Sequence, residues 1–146
     1  MANTIKDIRK IIVDKLEAMV DGGGDKIFNQ VFAYAQGNFS KYPVAVVKPV
    51  GGRGTEIDTH RNERVFSFVI SLYQEQSQAG KTNQEADDIM TKCSDAILEA
   101  FDQDKTLGNE VEIVKVVEFD TDFKVAAGTF NFANFRIECL VVVPNY

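Results

Sequence analysis

The sequence has little of the chemistry that marks most catalytic and metal-binding sites. Its 146 residues include one histidine, His60, and two cysteines, Cys93 and Cys139. A single histidine with no cysteine near it does not make a recognisable metal site, and any Ser-His-Asp triad would have to use it. Two distant cysteines make neither a disulfide framework nor a zinc site, so buried reduced thiols are expected. The sequence therefore predicts a protein that is not an enzyme, with no catalytic residue, no metal and no cofactor.

Long apolar runs and a surplus of positive charge are also missing. No apolar stretch approaches the length of a membrane span, and MANTIKDIRK at the N-terminus has no apolar signal core. The net charge of −6 argues against a surface that wraps nucleic acid, because neutralising phosphates needs clustered lysine and arginine. We expect an intracellular protein with no membrane partner and no sequence-specific nucleic-acid partner, folded as a single domain over residues 1–146.

Two stretches resemble ligand-binding loops but lack their essential residues. GGRGTEID, which begins at Gly51, has no lysine followed by serine or threonine, and it is expected to lead into a strand instead of a helix. FDTDFK, which begins at Phe119, lacks the glycine and the terminal glutamate of a calcium loop. We interpret the first as a hairpin tip and the second as an Asp-rich turn.

Two segments have helical periodicity. Apolar residues recur every three or four positions from Thr4 to Val20, where Thr4 can cap the first turn and the three glycines that follow can end the helix. A second helix is expected from Thr82, which forms a capping-box pattern with Glu85, to about Gln103. The segment between them, 25–41, suits a strand or a short helix, and we predict a partly extended connector with its aromatic residues in the core.

Alternating side chains predict the first hairpin. In RVFSFVISLY, from Arg64 to Tyr73, the even positions are large and apolar, while the odd positions are small and only half polar. VAVVKPV before it predicts a short strand that lies at an edge or ends at Pro49, because proline cannot donate to a strand ladder. A loop from Gly51 to about Arg61 would join the two strands.

Two later segments predict a second hairpin. Val111 to Phe119 predicts a strand in which Val111, Ile113, Val117 and Phe119 share one face. The last strand, about 129–143, changes parity near Ala133-Asn134, which predicts a β-bulge there. The fold class is therefore α+β: a mainly antiparallel sheet of about four strands, with an N-terminal helix and a second helix packed on one face.

The small face of the Arg64–Tyr73 strand needs a cover. Val65, Ser67, Val69 and Ser71 form a face that is unusual for contact with water. Either a helix of the same chain or another subunit could lie over it, and the sequence leaves both possibilities open.

The order of these segments resembles a known family. A leading helix IKDIRKIIVDKLEA, the fragment YPVAVV, the strand NERVFSFVISLY and a following helix are similar to the tail terminator (tail completion) proteins of bacteriophages and prophages, over about Ile5 to Val143. The resemblance implies a structural protein that forms a ring, commonly a hexamer, on the head-proximal end of the tail tube. It implies as partners further copies of itself, the tail-tube protein and the head-tail connector protein, and as location the virion tail, with the host cytoplasm during assembly.

Two other functions remain open from the sequence. One is a different neck or tail-tube component of a phage, with surfaces of the same type. The other is a small-molecule-binding domain in which the aromatic connector Phe28–Phe39 lines a pocket.

Two loop tips are candidate interaction sites, because loops commonly carry function on a rigid scaffold. Charged residues concentrate in both, and we expect them to contact the tube or a neighbouring subunit. The candidate residues are Arg53, Glu56, Asp58, His60, Arg61, Asp120, Asp122 and Lys124.

Overall fold

The computed structural model describes residues 2–34, 39–56, 61–75, 83–120, 124–126 and 130–144. The helices and strands in chain order are α1 (Ile5–Ala18), β1 (Gln30–Phe32), β2 (Val44–Glu56), β3 (Arg61–Glu75), α2 (Asn83–Gln103), β4 (Ile113–Phe119), β5 (Lys124–Ala126) and β6 (Phe130–Pro144). The strands form one sheet in the order β1-β2-β3-β6-β4, and β5 pairs with β6. Only β1 and β2 run parallel; the other pairs are antiparallel. The predicted α+β class is confirmed, with two three-residue strands added to the four that were expected.

Helix α1 begins as its sequence predicts but ends two residues before the expected Val20, because Met19 is extended and Val20 forms a β-bridge with Lys26. The Thr4 side chain accepts a hydrogen bond from the Asp7 backbone N–H at 3.1 Å, which satisfies one of the unpaired amides of the first turn. The helix ends at Ala18, ahead of the glycine run, in which Gly24 takes a φ of 83°. Its apolar stripe is fully buried at Ile8, Ile12 and Leu16.

Both helices lie on the same face of the sheet. The buried stripe of α1 and that of α2 belong to one core with the even-numbered apolar residues of β3 and the odd-numbered apolar residues of β6. Phe68 and Phe135 are fully buried at its centre. The expectation of helices on one face is confirmed, and α2 ends at Gln103 as predicted. Thr82, the expected cap of α2, lies outside the described residues.

The β2–β3 hairpin is much longer than its sequence suggested. We expected a loop from Gly51 to Arg61, but β2 continues to Glu56 and β3 begins at Arg61. The register shifts once, between Pro49 and Gly51, and the pairing with β3 then continues. The loop prediction was wrong because glycine weakens a strand without preventing it when a long partner strand lies alongside. Pro49 does lie at an edge, since β1 pairs only with 44–46 of β2.

The predicted β-bulge in β6 is also wrong. The register between β3 and β6 runs without a shift from Arg61 opposite Pro144 to Glu75 opposite Phe130. The irregularity lies in β4 instead, between Val116 and Glu118. Ile113 lies opposite half-buried Leu140 and Phe119 opposite buried Phe135, so the predicted shared face of this strand is broken at the irregularity. Val117 is 43% exposed, and Phe119, whose ring stacks on Phe135 at 5.9 Å, is 46% exposed, so neither is a buried core residue.

The apparent change of parity in β6 has another cause. Core-facing positions keep strict alternation through Asn131, Ala133 and Phe135, all of which are buried. Phe132 lies on the opposite face of the sheet, where its ring stacks against Tyr73 at 6.4 Å. A large apolar residue on the second face therefore gave the appearance of a change of parity.

Both cysteines are buried in the core as free thiols. Burial raises the pKa of the Cys93 thiol to about 12 and that of the Cys139 thiol to about 12. Thiolate is the reactive form, so a raised pKa makes both cysteines poor nucleophiles near neutral pH.

Native protein should therefore react with Ellman's reagent at pH 8 on the order of a thousandfold more slowly than the unfolded chain. The measurement is the release of thionitrobenzoate with and without denaturant. Rapid stoichiometric labelling of the native protein would contradict the burial of these thiols.

Candidate interaction surface

The sheet face that points away from both helices is the candidate functional surface, and we call it the open face. It carries the odd-numbered residues of β3 and the even-numbered residues of β6, with neighbours from β2 and β4. No helix within the described ranges lies on it, because both helices are committed to the core on the other side. Neither described helix therefore covers the small side chains of β3, which answers part of the question that the sequence raised.

The small residues of the open face are buried by their neighbours within the sheet. Ser67 and Ser71 are 2% and 3% exposed. Each is paired with a larger polar residue of β6, Ser67 with Glu138 and Ser71 with Asn134. The Ser71 hydroxyl and the Asn134 amide oxygen lie 2.7 Å apart, in hydrogen-bond contact. The result is a nearly level surface of mixed polar and apolar character.

An ion pair crosses the open face at its β2 side. The Arg53 guanidinium lies 2.8 Å from a carboxylate oxygen of Glu138, two strands away. Glu138 is largely covered, whereas the Arg53 side chain is 67% exposed. Because that side is open to water, the pair adds little to stability, but it leaves guanidinium donors available to another molecule.

Shallow cavities flank this central row. One of about 400 Å³ is bordered by Val69, Glu118, Phe119, Asp120, Asn134 and Arg136. A smaller one of about 170 Å³ lies beside Val65, Leu140 and the Arg53–Glu138 pair. Their mixture of apolar floors and charged rims is typical of contact surfaces between proteins.

Aromatic rings cover the other end of the open face. Phe39 lies 5.7 Å from Phe32, 6.2 Å from Tyr42 and 5.1 Å from Tyr73, between ring centroids. All of these rings remain half-buried. Of the connector aromatics that we expected in the core, Phe28 is there, whereas Phe32 and Phe39 belong to this stack and Tyr34 is 64% exposed.

The candidate loop residues divide into separate groups. Arg53 and Glu56 lie in β2 and Arg61 in β3, so they are strand residues and not parts of a loop. Asp120 follows β4, with its backbone N–H donating to the Asn134 carbonyl at 3.1 Å, and Lys124 begins β5 opposite Phe132. The other three candidates, Asp58, His60 and Asp122, lie outside the described residues.

The two outermost candidates lie at opposite ends of the sheet. Arg61 pairs with Pro144 at one end of β6, and Lys124 pairs with Phe132 near the other. Twelve residues of strand separate these two positions, which is roughly 40 Å at about 3.3 Å per residue. Arg53 and Asp120 lie nearer the middle, beside Glu138 and Asn134, so a single compact partner site can contain these two but not both Arg61 and Lys124.

The sequence analysis missed the polar row of β6. Asn134, Arg136 and Glu138 alternate with buried Phe135 and Ile137, and all three project from the open face. Strict alternation of polar and apolar residues in NFRIE was the signal that could have identified them.

The described part of the chain contains no group of three or more histidine, cysteine or acidic side chains that could hold a metal ion. In the same residues, neither helix is long and apolar enough to cross a membrane. Neither a protein-family model nor a curated protein matches this sequence. Its function must therefore be argued from its own surfaces.

Proposed function

We propose that this chain is a structural virion protein that forms a ring on the head-proximal end of a phage tail tube. The ring would end polymerisation of the tube and join the tail to the head. The observation that carries the proposal is the open face, a sheet surface with half-buried aromatic, aliphatic and ion-paired residues that no described helix covers. Surfaces of this kind mark contacts between proteins.

The placement of the two charged ends supports the proposal. A terminator has to bind the tube on one side and present a second surface to the head connector on the other. Arg61 and Lys124 occupy strand positions about 40 Å apart, at the two ends of one sheet, which suits contacts with two different partners. The small side chains and shallow cavities of the open face suit a broad contact with protein better than the enclosed, mostly apolar pocket of a small-molecule site.

Deleting the gene from a tail-producing phage or prophage tests the function directly. We expect tails of uncontrolled length in electron micrographs, because nothing would end growth of the tube, and normal lengths when the wild-type gene is restored. Finished tails of normal length without heads would instead assign the chain to the neck, which is the alternative position in the particle.

Experiments on the isolated protein distinguish the proposed ring from the remaining alternative, a small-molecule-binding domain. We expect ring-shaped particles in negative stain and a multiple of the 16.3 kDa chain mass by light scattering. A monomer at high concentration that binds a metabolite would favour a small-molecule-binding domain and would contradict the proposal.

A further inference from the structure

The two outer edges of the sheet share an unusual feature. Within the described residues, the outer side of β2 beyond 46 and the outer side of β4 pair with no other strand. Large exposed apolar side chains concentrate there: Ile5 and Val50 beside β2, and Val117 and Phe119 on β4. Long apolar sheet edges are templates for strand addition, which natural proteins usually protect.

The β2 edge has a groove beside it on the helix side. The groove has a volume of about 490 Å³, and Ile5, Phe66 and Arg64 line it together with the glycines of β2. It exists because Gly52 and Gly54 place no side chain over Phe66. At Gly52 a Cβ atom would come within 2.4 Å of the Val65 carbonyl oxygen, so the close approach of the two backbones requires glycine there.

The β4 edge has the complementary shape. Val117 lies at the irregularity between Val116 and Glu118 and is 43% exposed. Phe119 stacks one side of its ring on Phe135, on the helix side of the sheet, and remains 46% exposed. A bulge of this kind often re-aims side chains at the rim of a sheet. One edge thus offers large apolar side chains and the other an apolar groove.

We infer that β4 of one copy adds to the outer edge of β2 in the next copy as an antiparallel strand. When Phe119 lies opposite Gly52, its ring meets the groove over Phe66, and Glu118 falls opposite Arg53. Arg53 has exposed donors beyond its bond to Glu138, so it can pair with this second carboxylate. The contact pairs the backbone of 115–119 with that of 52–56 and covers the exposed part of Phe119. Val114 stays outside it, because its N–H already donates to the Lys105 carbonyl oxygen at 2.7 Å.

Such a contact is heterologous, because two different edges meet. In an open row of subunits, only the first and last copies keep one unused edge each. The row closes into a ring when the rotation from one subunit to the next permits. The inference rests on the proposed function, because a ring protein binds further copies of itself and the strand on the β2 edge is therefore taken from a second copy. It adds to that function the residues through which the copies join.

Two variants that each damage one edge test the inference. Gly54→Val fills the groove, and its Cβ lies 3.7 Å from the Glu63 carbonyl oxygen, an ordinary contact that preserves the fold. Val117→Lys places a charge on the β4 edge. Each variant alone should remain monomeric by light scattering at concentrations where the wild type assembles. A 1:1 mixture should form a dimer and nothing larger, because one intact edge of each kind remains.

The matched control is Val20→Lys, the same substitution at an exposed valine away from both edges, which should assemble as the wild type does. Circular dichroism melts establish that all three variants are folded. If both edge variants assemble normally, or the mixture stays monomeric, the edge pairing is wrong. In that case rings of the wild-type protein would still support the proposed function, whereas a wild type that never assembles would contradict both.

A cross-link tests the register independently. Mixing Arg53→Cys protein with Glu118→Cys protein under mild oxidation should give a disulfide-linked dimer, because opposed residues of an antiparallel pair lie within disulfide reach. The buried native thiols, whose pKa values are raised to about 12, should not compete. Neither variant should cross-link by itself, and a mixture that gives no dimer would overturn the register.

Discussion

Replacing Phe68 with alanine should lower the free energy of unfolding by about 3–5 kcal/mol. The Phe68 side chain is fully buried at the centre of the core beneath the helices. Removing its ring leaves a cavity that the surrounding strands and helices cannot fill completely. The loss of stability therefore includes both the transfer free energy of the ring and the van der Waals contacts that it made. Urea denaturation followed by circular dichroism measures the change at constant m-value.

Phe66→Ala is the matched control for this prediction. Phe66 is the same residue type, two positions earlier on the same side of β3, but it lies opposite Gly52 at the groove and is only half-buried. We expect a loss of about 1 kcal/mol, since less apolar area leaves water when it packs. Equal losses of stability for the two variants would show that the core includes Phe66 in the β2–β3 hairpin. That result would contradict a core that ends at Phe68.

Replacing Gln74 with glutamate should destabilise the protein by about 3 kcal/mol or more at pH 7. The Gln74 side chain is 1% exposed, and its amide oxygen has no hydrogen-bond partner in the described structure. Its amide nitrogen donates to the Glu75 carbonyl oxygen at 3.2 Å. A carboxylate there would lose this donor and would place an unpaired charge in the core.

The destabilisation of Gln74→Glu should depend on pH in a defined direction. Burial without a cationic partner raises the pKa of a carboxyl group in the folded state above its unfolded value of about 4.3. The folded variant is therefore relatively stable below about pH 4, and it loses stability as pH rises through the folded pKa. Chemical denaturation of variant and wild type at several pH values measures the difference between them.

Gln74→Met is the control, because it keeps the length of the side chain and removes both polar atoms. It should be near neutral or stabilising, since no orphaned acceptor then remains in the core. A Gln74→Met variant that loses as much stability as Gln74→Glu would show that the Gln74 amide makes an essential contact, contrary to the structure.

Local rules account for the elements that were predicted correctly. The start of α1 depends on Thr4 and its buried stripe on a three-to-four periodicity, all within one short segment. The core face of β3 depends on alternation within ten residues, and Phe68, Ile70 and Leu72 are fully buried as that alternation requires. Neither inference needs knowledge of what lies next to the element.

The errors all concern contacts between distant segments. The glycines from Gly51 were read as a loop, yet they extend β2 because a long β3 lies beside them. The aromatic ring of Phe132 gave the appearance of a parity change in β6, yet it lies on the open face, opposite Tyr73. The irregularity expected in β6 occurs in β4, because strand register depends on pairing and not on either strand alone.

The amino-acid sequence by itself determined the α+β class, the two amphipathic helices and the absence of a recognisable catalytic or metal-binding motif, because periodicity and residue chemistry are local properties. Tertiary structure alone decided which face of the sheet neither described helix covers and that Arg61 and Lys124 lie at its opposite ends. It also decided that the β2 and β4 edges are exposed with complementary shapes. Those features depend on strand order and register, which arise only when segments far apart in the chain meet.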